Sequence, residues 1–166
     1  MDKLWAPWRI KYIRKKKQDK CIFCQSLKSS DKHYVVYRTD YSISMLNIFP
    51  YNNGHMLIFP IRHIGDLTQL KEVEVLDLFR VLLNTKKLLN RVLKPDGYNI
   101  GINLSKIAGA GITDHLHIHI VPRWQGDTNF MPVLCDTKII SQSLDELFKQ
   151  LKYAKSKYDL LSQGRY

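Results

Sequence analysis

The chain has 166 residues, 45% hydrophobic and 25% charged, which fits one globular domain with its own core and excludes a disordered or collagen-like chain. No apolar run approaches the ~20 residues that cross a bilayer, the first residues lack the apolar stretch of a secretory signal, and three cysteines do not make a disulfide framework, so a reduced, cytoplasmic protein without membrane contact is expected. The net charge of +11 is uneven, because residues 1–20 carry eight Lys/Arg against two Asp. Such an arm attracts nucleic acid, steers a polyphosphate substrate or is a solvated charge run, and charge does not separate these.

In chain order, residues 1–20 form this basic arm, with the run Arg14-Lys15-Lys16-Lys17 and with Trp5, Trp8, Tyr12 and Ile13 expected to pack on the body. The main domain is expected over 21–140, and a C-terminal helix and tail over 141–166. It opens on Cys21-Ile22-Phe23-Cys24. Residues 34–38 and 42–47 read as two strands joined at Thr39-Asp40-Tyr41, and 55–60 as a third after the turn Pro50-Tyr51-Asn52-Asn53-Gly54. From about Asp66 to Leu93 the period becomes helical, with Val75, Leu76, Phe79, Leu82, Leu83, Leu89 and Val92 as the apolar stripe. Asp66 or Thr68 is placed to cap its start, and Pro95 and Gly97 to stop it. Residues 98–104 read as a fourth strand and 115–121 as a fifth, ended by Pro122. A last helix starts at Ser143, whose Ser-x-x-Glu with Glu146 is a capping box, and Leu144, Leu147, Phe148 and Leu151 form its stripe. The fold class is α+β: a five-stranded antiparallel sheet with one long helix and a C-terminal helix.

The fifth strand carries the chemistry. In His115-Leu116-His117-Ile118-His119-Ile120-Val121, a strand turns the three imidazoles to one face and Leu116, Ile118 and Ile120 to the core. A row of neutral imidazoles offers a nucleophile flanked by proton carriers, or three ligands for a metal. Cys21 and Cys24 supply half of a tetrahedral metal site, a redox pair or two incidental thiols, and no βαβ unit supports the redox choice. The run Asn103-Leu104-Ser105-Lys106-Ile107-Ala108-Gly109-Ala110-Gly111 is a tight turn or an anion-binding nest of successive N–H groups. Trp124 suits adenine stacking or an interface, Arg123 a phosphate or solvent, and Cys135 and His33 have no assigned chemistry.

Asn47-Ile48-Phe49-Pro50-Tyr51-Asn52-Asn53-Gly54-His55, Pro60-Ile61-Arg62-His63 and the 115–121 run, in that order and spacing, resemble the histidine triad (HIT) superfamily of nucleotide hydrolases and transferases. The segments Leu4-Trp5-Ala6-Pro7-Trp8-Arg9 and Arg123-Trp124-Gln125-Gly126-Asp127-Thr128-Asn129-Phe130 are similar to its diadenosine tetraphosphate phosphorylase branch. The resemblance implies a homodimer whose sheets continue across the interface. It implies that His117 attacks the α-phosphate to form a nucleotidyl-histidine, with its ring held by the His115 carbonyl. His119 then contacts the phosphate and the leaving group, and His55 supports the row from behind. Asn47 is implied to bind the ribose, with Asn103, Gly109 and Gly111 at the phosphate. It further implies a structural zinc on Cys21, Cys24, His63 and His115. The chain departs from the common pattern at Gly111-Ile112-Thr113-Asp114 and is one residue longer from Asn103 to His115, which leaves phosphate or water open as the second acceptor. The implied activity is cleavage of dinucleoside polyphosphates. The alternatives are a nucleoside phosphoramidate hydrolase, a nucleotide-sensing module without turnover, and a metalloenzyme using the histidines as ligands.

Overall fold

Short strand segments pair with their neighbours along the chain except where the long helix intervenes. In the computed structural model, which describes residues 21–28, 33–127 and 139–158, β1 (Val35–Arg38), β2 (Ser42–Leu46), β3 (Met56–Pro60), β4 (Gly97–Ile102) and β5 (Ile118–Arg123) form one antiparallel sheet in the order β1-β2-β3-β5-β4. The helices are α1 (Ile22–Ser26), α2 (Glu72–Leu93) and α3 (Leu144–Tyr158). The basic arm, Cys135, residues 128–130 of the second flanking segment and the tail beyond 158 lie outside the described residues.

The sheet has two unlike faces. On one, Leu46, Met56, Ile58, Ile118 and Ile120 pack against Leu78, Val81, Leu88 and Leu89 of α2, and Leu147 and Leu151 of α3 join the same core. On the other, Phe23 of α1 packs against Ile43, Met45, Leu57 and Phe59. The histidines stand on this second, more thinly covered face.

Four expectations are corrected. The helix does not run from Asp66: Asp66 caps a separate 3-10 turn, Leu67–Gln69, and α2 begins at Glu72. The break follows from Arg62, whose Nη2 takes the Gln69 carbonyl (2.7 Å) that a continuous helix needs. Glu74 then accepts from the Lys71 N–H (2.8 Å) and from Arg62, so α2 starts on its own cap. Second, the buried stripe of α2 is only partly the expected one: Leu82, Leu89 and Val92 join the core as expected, whereas Val75, Leu76, Phe79 and Leu83 are exposed and Leu78, Val81 and Leu88 take their place against the sheet. The helix is apolar on two flanks. Third, Pro122 does not end β5, which continues to Arg123. Pairing with β3 stops at Ile120↔Met56, and the Pro122 carbonyl on that side accepts from Asn52 Nδ2 (3.0 Å). A strand residue's N and O point the same way, so the missing N–H faces no ladder partner. Fourth, ladder pairing of β5 begins at Ile118 rather than His115, because the His115 carbonyl is taken by the His117 ring. The expected alternation still holds there, with Leu116 buried opposite the imidazoles. Gly97 opens β4, and α2 stops at Lys94 in the left-handed conformation just before Pro95.

Candidate active site and metal centre

A chain of hydrogen bonds assigns a tautomer to each histidine of the row. A carbonyl only accepts, so His117 Nδ1, 2.9 Å from the His115 oxygen, carries the proton and leaves a lone pair on Nε2. A backbone N–H only donates, so His55 Nδ1, which receives the Tyr51 N–H (3.1 Å), is unprotonated. His55 Nε2 therefore donates to His119 Nδ1 (2.9 Å), and the His119 proton sits on Nε2. That Nε2 is buried and has no hydrogen-bond partner among the described residues. The His117 and His119 rings are 4.9 Å apart, so a free lone pair and a free N–H stand side by side.

Burial keeps the row neutral. It pushes His55 down to about 3 and His119 to about 4, helped in both by a neighbouring histidine. It lowers His117 as well, against the opposing hydrogen bond to the His115 carbonyl. Rings wall the β3 side: Phe23 lies 5.0 Å from His117, and Tyr51 lies 4.6 Å from His55 and stacks on His119 at 13°. Sequence reasoning passed over Phe23 and Tyr51. The only signals were an aromatic inside Cys-x-x-Cys and one in the turn before His55.

Asn47 is tied into this row from β2's end. Its Nδ2 lies 3.3 Å from His55 Nδ1 and its Oδ1 accepts from the Phe49 N–H (2.9 Å). Gly54 turns the chain at φ +74, where a Cβ would overlap Leu93 and crowd Pro122, so only glycine fits behind His55. Asn103 follows Ile102, the last residue of β4, which pairs with Ile118, the residue after His117. Gly109 (φ +90) lies close under the Asn103 amide, but its N–H and that of Ala110 turn back to the Lys106 and Ser105 carbonyls. Those two N–H groups are therefore spent inside the loop, as in the tight turn that is one of the two readings of this run. Gly111 is exposed at the loop's end. Arg123 is exposed, as expected of a solvated arginine after a strand, and it also pairs with Asp127 (2.6 Å) and donates to Asn99 (2.7 Å). Asp127 also accepts from Asn52 (2.8 Å), which pins the 47–55 loop to the end of β5. Trp124 is half-buried and donates its N–H to the same carboxylate (3.3 Å).

The expected ligand set converges. One donor atom each from Cys21, Cys24, His63 and His115 lies within 4.8 Å of all the others. Cys21 Sγ is 3.3 Å from His115 Nδ1, and Cys24 Sγ is 3.3 Å from His63 Nδ1. Tetrahedral zinc with Cys and His ligands sets donors roughly 3.5 Å apart, so the spacing fits. The tautomer fits too: His115 Nε2 donates to the Pro60 carbonyl (2.8 Å), which frees Nδ1 to ligate. Burial and the neighbouring Cys21 raise Cys24, so a bound metal would displace its proton.

Residues 28–126 match the model of the HIT domain family. The chain belongs to the HIT domain family. As a HIT protein it is 32% identical over 154 residues to an AP-4-A phosphorylase of Mycobacterium tuberculosis, covering 87% of this chain and 79% of the relative. It is 34% identical over 103 residues to an adenosine 5′-monophosphoramidase of Saccharomyces cerevisiae, covering 62% of each. Among solved HIT structures, a Zn-bound histidine triad protein of Mycobacterium smegmatis superposes with a TM-score of 0.69 at 27% identity, covering 84% of this chain and 96% of that one.

Proposed function

We propose that this HIT protein cleaves dinucleoside polyphosphates by nucleotidyl transfer through His117. The observation that carries the reading is the pairing of a lone pair on His117 Nε2 with an unpartnered N–H on His119 Nε2. His117 Nε2 attacks the α-phosphorus, and the new N–P bond replaces the P–O bond to the departing polyphosphate. The leaving oxygen departs with the electron pair and takes the His119 Nε2–H hydrogen bond. The His115 carbonyl stabilises the positive ring that results, because it already holds the Nδ1–H. Phosphate or water then attacks the phosphorus, the N–P bond breaks and its electrons return to Nε2. With water, the released proton passes to solvent. His55 acts by holding the His119 tautomer, Asn47 binds the ribose through Oδ1, and Asn103 meets the phosphate across Gly109 and Gly111.

Support for the dinucleotide comes from the phosphorylase relative, whose match extends over 87% of this chain. The phosphoramidase relative supports a second reading, an amide-leaving substrate at the same nucleophile. Zinc on Cys21, Cys24, His63 and His115 serves structure, holding α1 and Phe23 against the row. The experiment is product analysis on diadenosine tetraphosphate with and without phosphate. ADP plus ATP identifies phosphorolysis, AMP plus ATP identifies hydrolysis, and no turnover of either a dinucleotide or an adenosine phosphoramidate refutes the reading.

A homodimer formed through β4 completes the proposal. Of the two sheet edges, β1 is already met by Lys155 Nζ on the Val36 carbonyl (2.9 Å), whereas β4 is largely exposed. Ile100 on β4 is exposed, and so is a flank of α2 (Val75, Leu76, Phe79, Leu83), of which Val75 and Phe79 line a cavity with Ile102 of β4. Such a flank and an open edge suit continuation of the sheet into a second copy.

A further inference from the structure

The two sides of the histidine row are unlike. On the β3 side Leu57 pairs with His119, and Phe23, Tyr51 and His55 press on the imidazoles. On the β4 side the residue opposite His119 is Gly101. Directly opposite residues share a face of the sheet, so a side chain at 101 would stand next to the His119 ring. Nothing in the fold requires glycine there. Its φ lies outside the left-handed region, and a Cβ added to it would meet no atom within 4 Å. A glycine inside a strand weakens the strand, and one without a conformational reason marks a place where something else comes close. The residue opposite it is His119, whose buried Nε2–H lacks a partner among the described residues. The missing side chain and the missing hydrogen-bond acceptor therefore both belong to the surroundings of the His119 ring.

We propose that Gly101 determines specificity, by keeping open a path along the face of β4 through which a nucleotide-sized leaving group passes His119. This deepens the proposed nucleotidyl transfer and rests on it. A polyphosphate that continues into a second nucleoside needs room beyond the bond being broken, and ammonia does not. A branched side chain at 101 blocks the first and spares the second, while both substrates place the same adenylyl group on His117.

The test compares the full chain with Gly101→Ala and Gly101→Val on diadenosine tetraphosphate and on adenosine 5′-phosphoramidate. In Gly101→Val the ratio of kcat/KM for the dinucleotide to that for the phosphoramidate is expected to fall by roughly tenfold or more, with Gly101→Ala between. Phosphoramidate turnover stays within about threefold of the parent, which also reports that the variant is folded. An unchanged ratio across the series overturns the proposal, as does an equal loss on both substrates in Gly101→Ala. A changed oligomeric state with an unchanged ratio assigns the gap to a second copy and overturns it too. If the parent chain turns over neither substrate, the transfer reading itself fails, and this inference with it.

Discussion

The single residue with most depending on it is His115. Its ring Nδ1 faces Cys21 and Cys24, and its ring Nε2 donates to the Pro60 carbonyl. Its own carbonyl orients the His117 ring. The outer imidazoles are set from the other end, by one backbone N–H at Tyr51 acting through His55 on His119. A pH dependence of stability follows. His55 and His119 titrate at about 3 and 4 in the folded chain against 6.5 for a free imidazole, so the unfolded chain binds more protons between those values. The contribution of these two imidazoles to stability is level above pH 6.5 and is lost as the pH falls from 6.5 toward 3. Melting temperatures across that range are expected to fall with acid, and to fall less steeply in His119→Gln. His55→Asn is expected to lower kcat by about 10²–10⁴, since the wrong tautomer at 119 removes its donor toward substrate. An unchanged kcat would separate His55 from the chemistry.

At the scale of elements, α1 is too short to stand alone. Five residues cannot repay helix nucleation, so Phe23 and the cysteines must hold it in place. Cys24→Ser is therefore expected to reduce bound zinc to well below one per chain by elemental analysis and to lower the melting temperature. Stoichiometric zinc in the variant would remove Cys24 from the site. The elements show which signals were readable in the sequence. The five strands were legible because alternation and turn residues agree locally, and the histidine face because period 2 leaves no other arrangement. Ser143 caps α3 as its motif indicates, through the Glu146 N–H (3.2 Å). What was not legible depended on distant partners. The break before α2 needs Arg62, the passage of β5 through Pro122 needs Asn52, and the tie of Arg123 needs Asp127 and Asn99. Periodicity within α2 likewise does not say which of two apolar flanks meets the sheet.

For the whole molecule, that ambiguity becomes informative. The flank left outside, together with the open edge of β4, is the surface assigned to a second copy. Phe79→Asp is expected to shift the chain from dimer to monomer in light scattering, and a parent chain that is already monomeric would refute the assembly. The sheet, the Cys/His cluster and the helices all serve to hold one imidazole with a bare nitrogen beside another with an unshared proton. The most direct measurement is rapid acid-free quenching of a turnover of labelled diadenosine tetraphosphate, followed by intact mass and peptide mapping. The account predicts a transient nucleotidyl group on the His117 peptide, absent in His117→Ala together with product formation. Undiminished product from His117→Ala, or label found only on another residue, would contradict it.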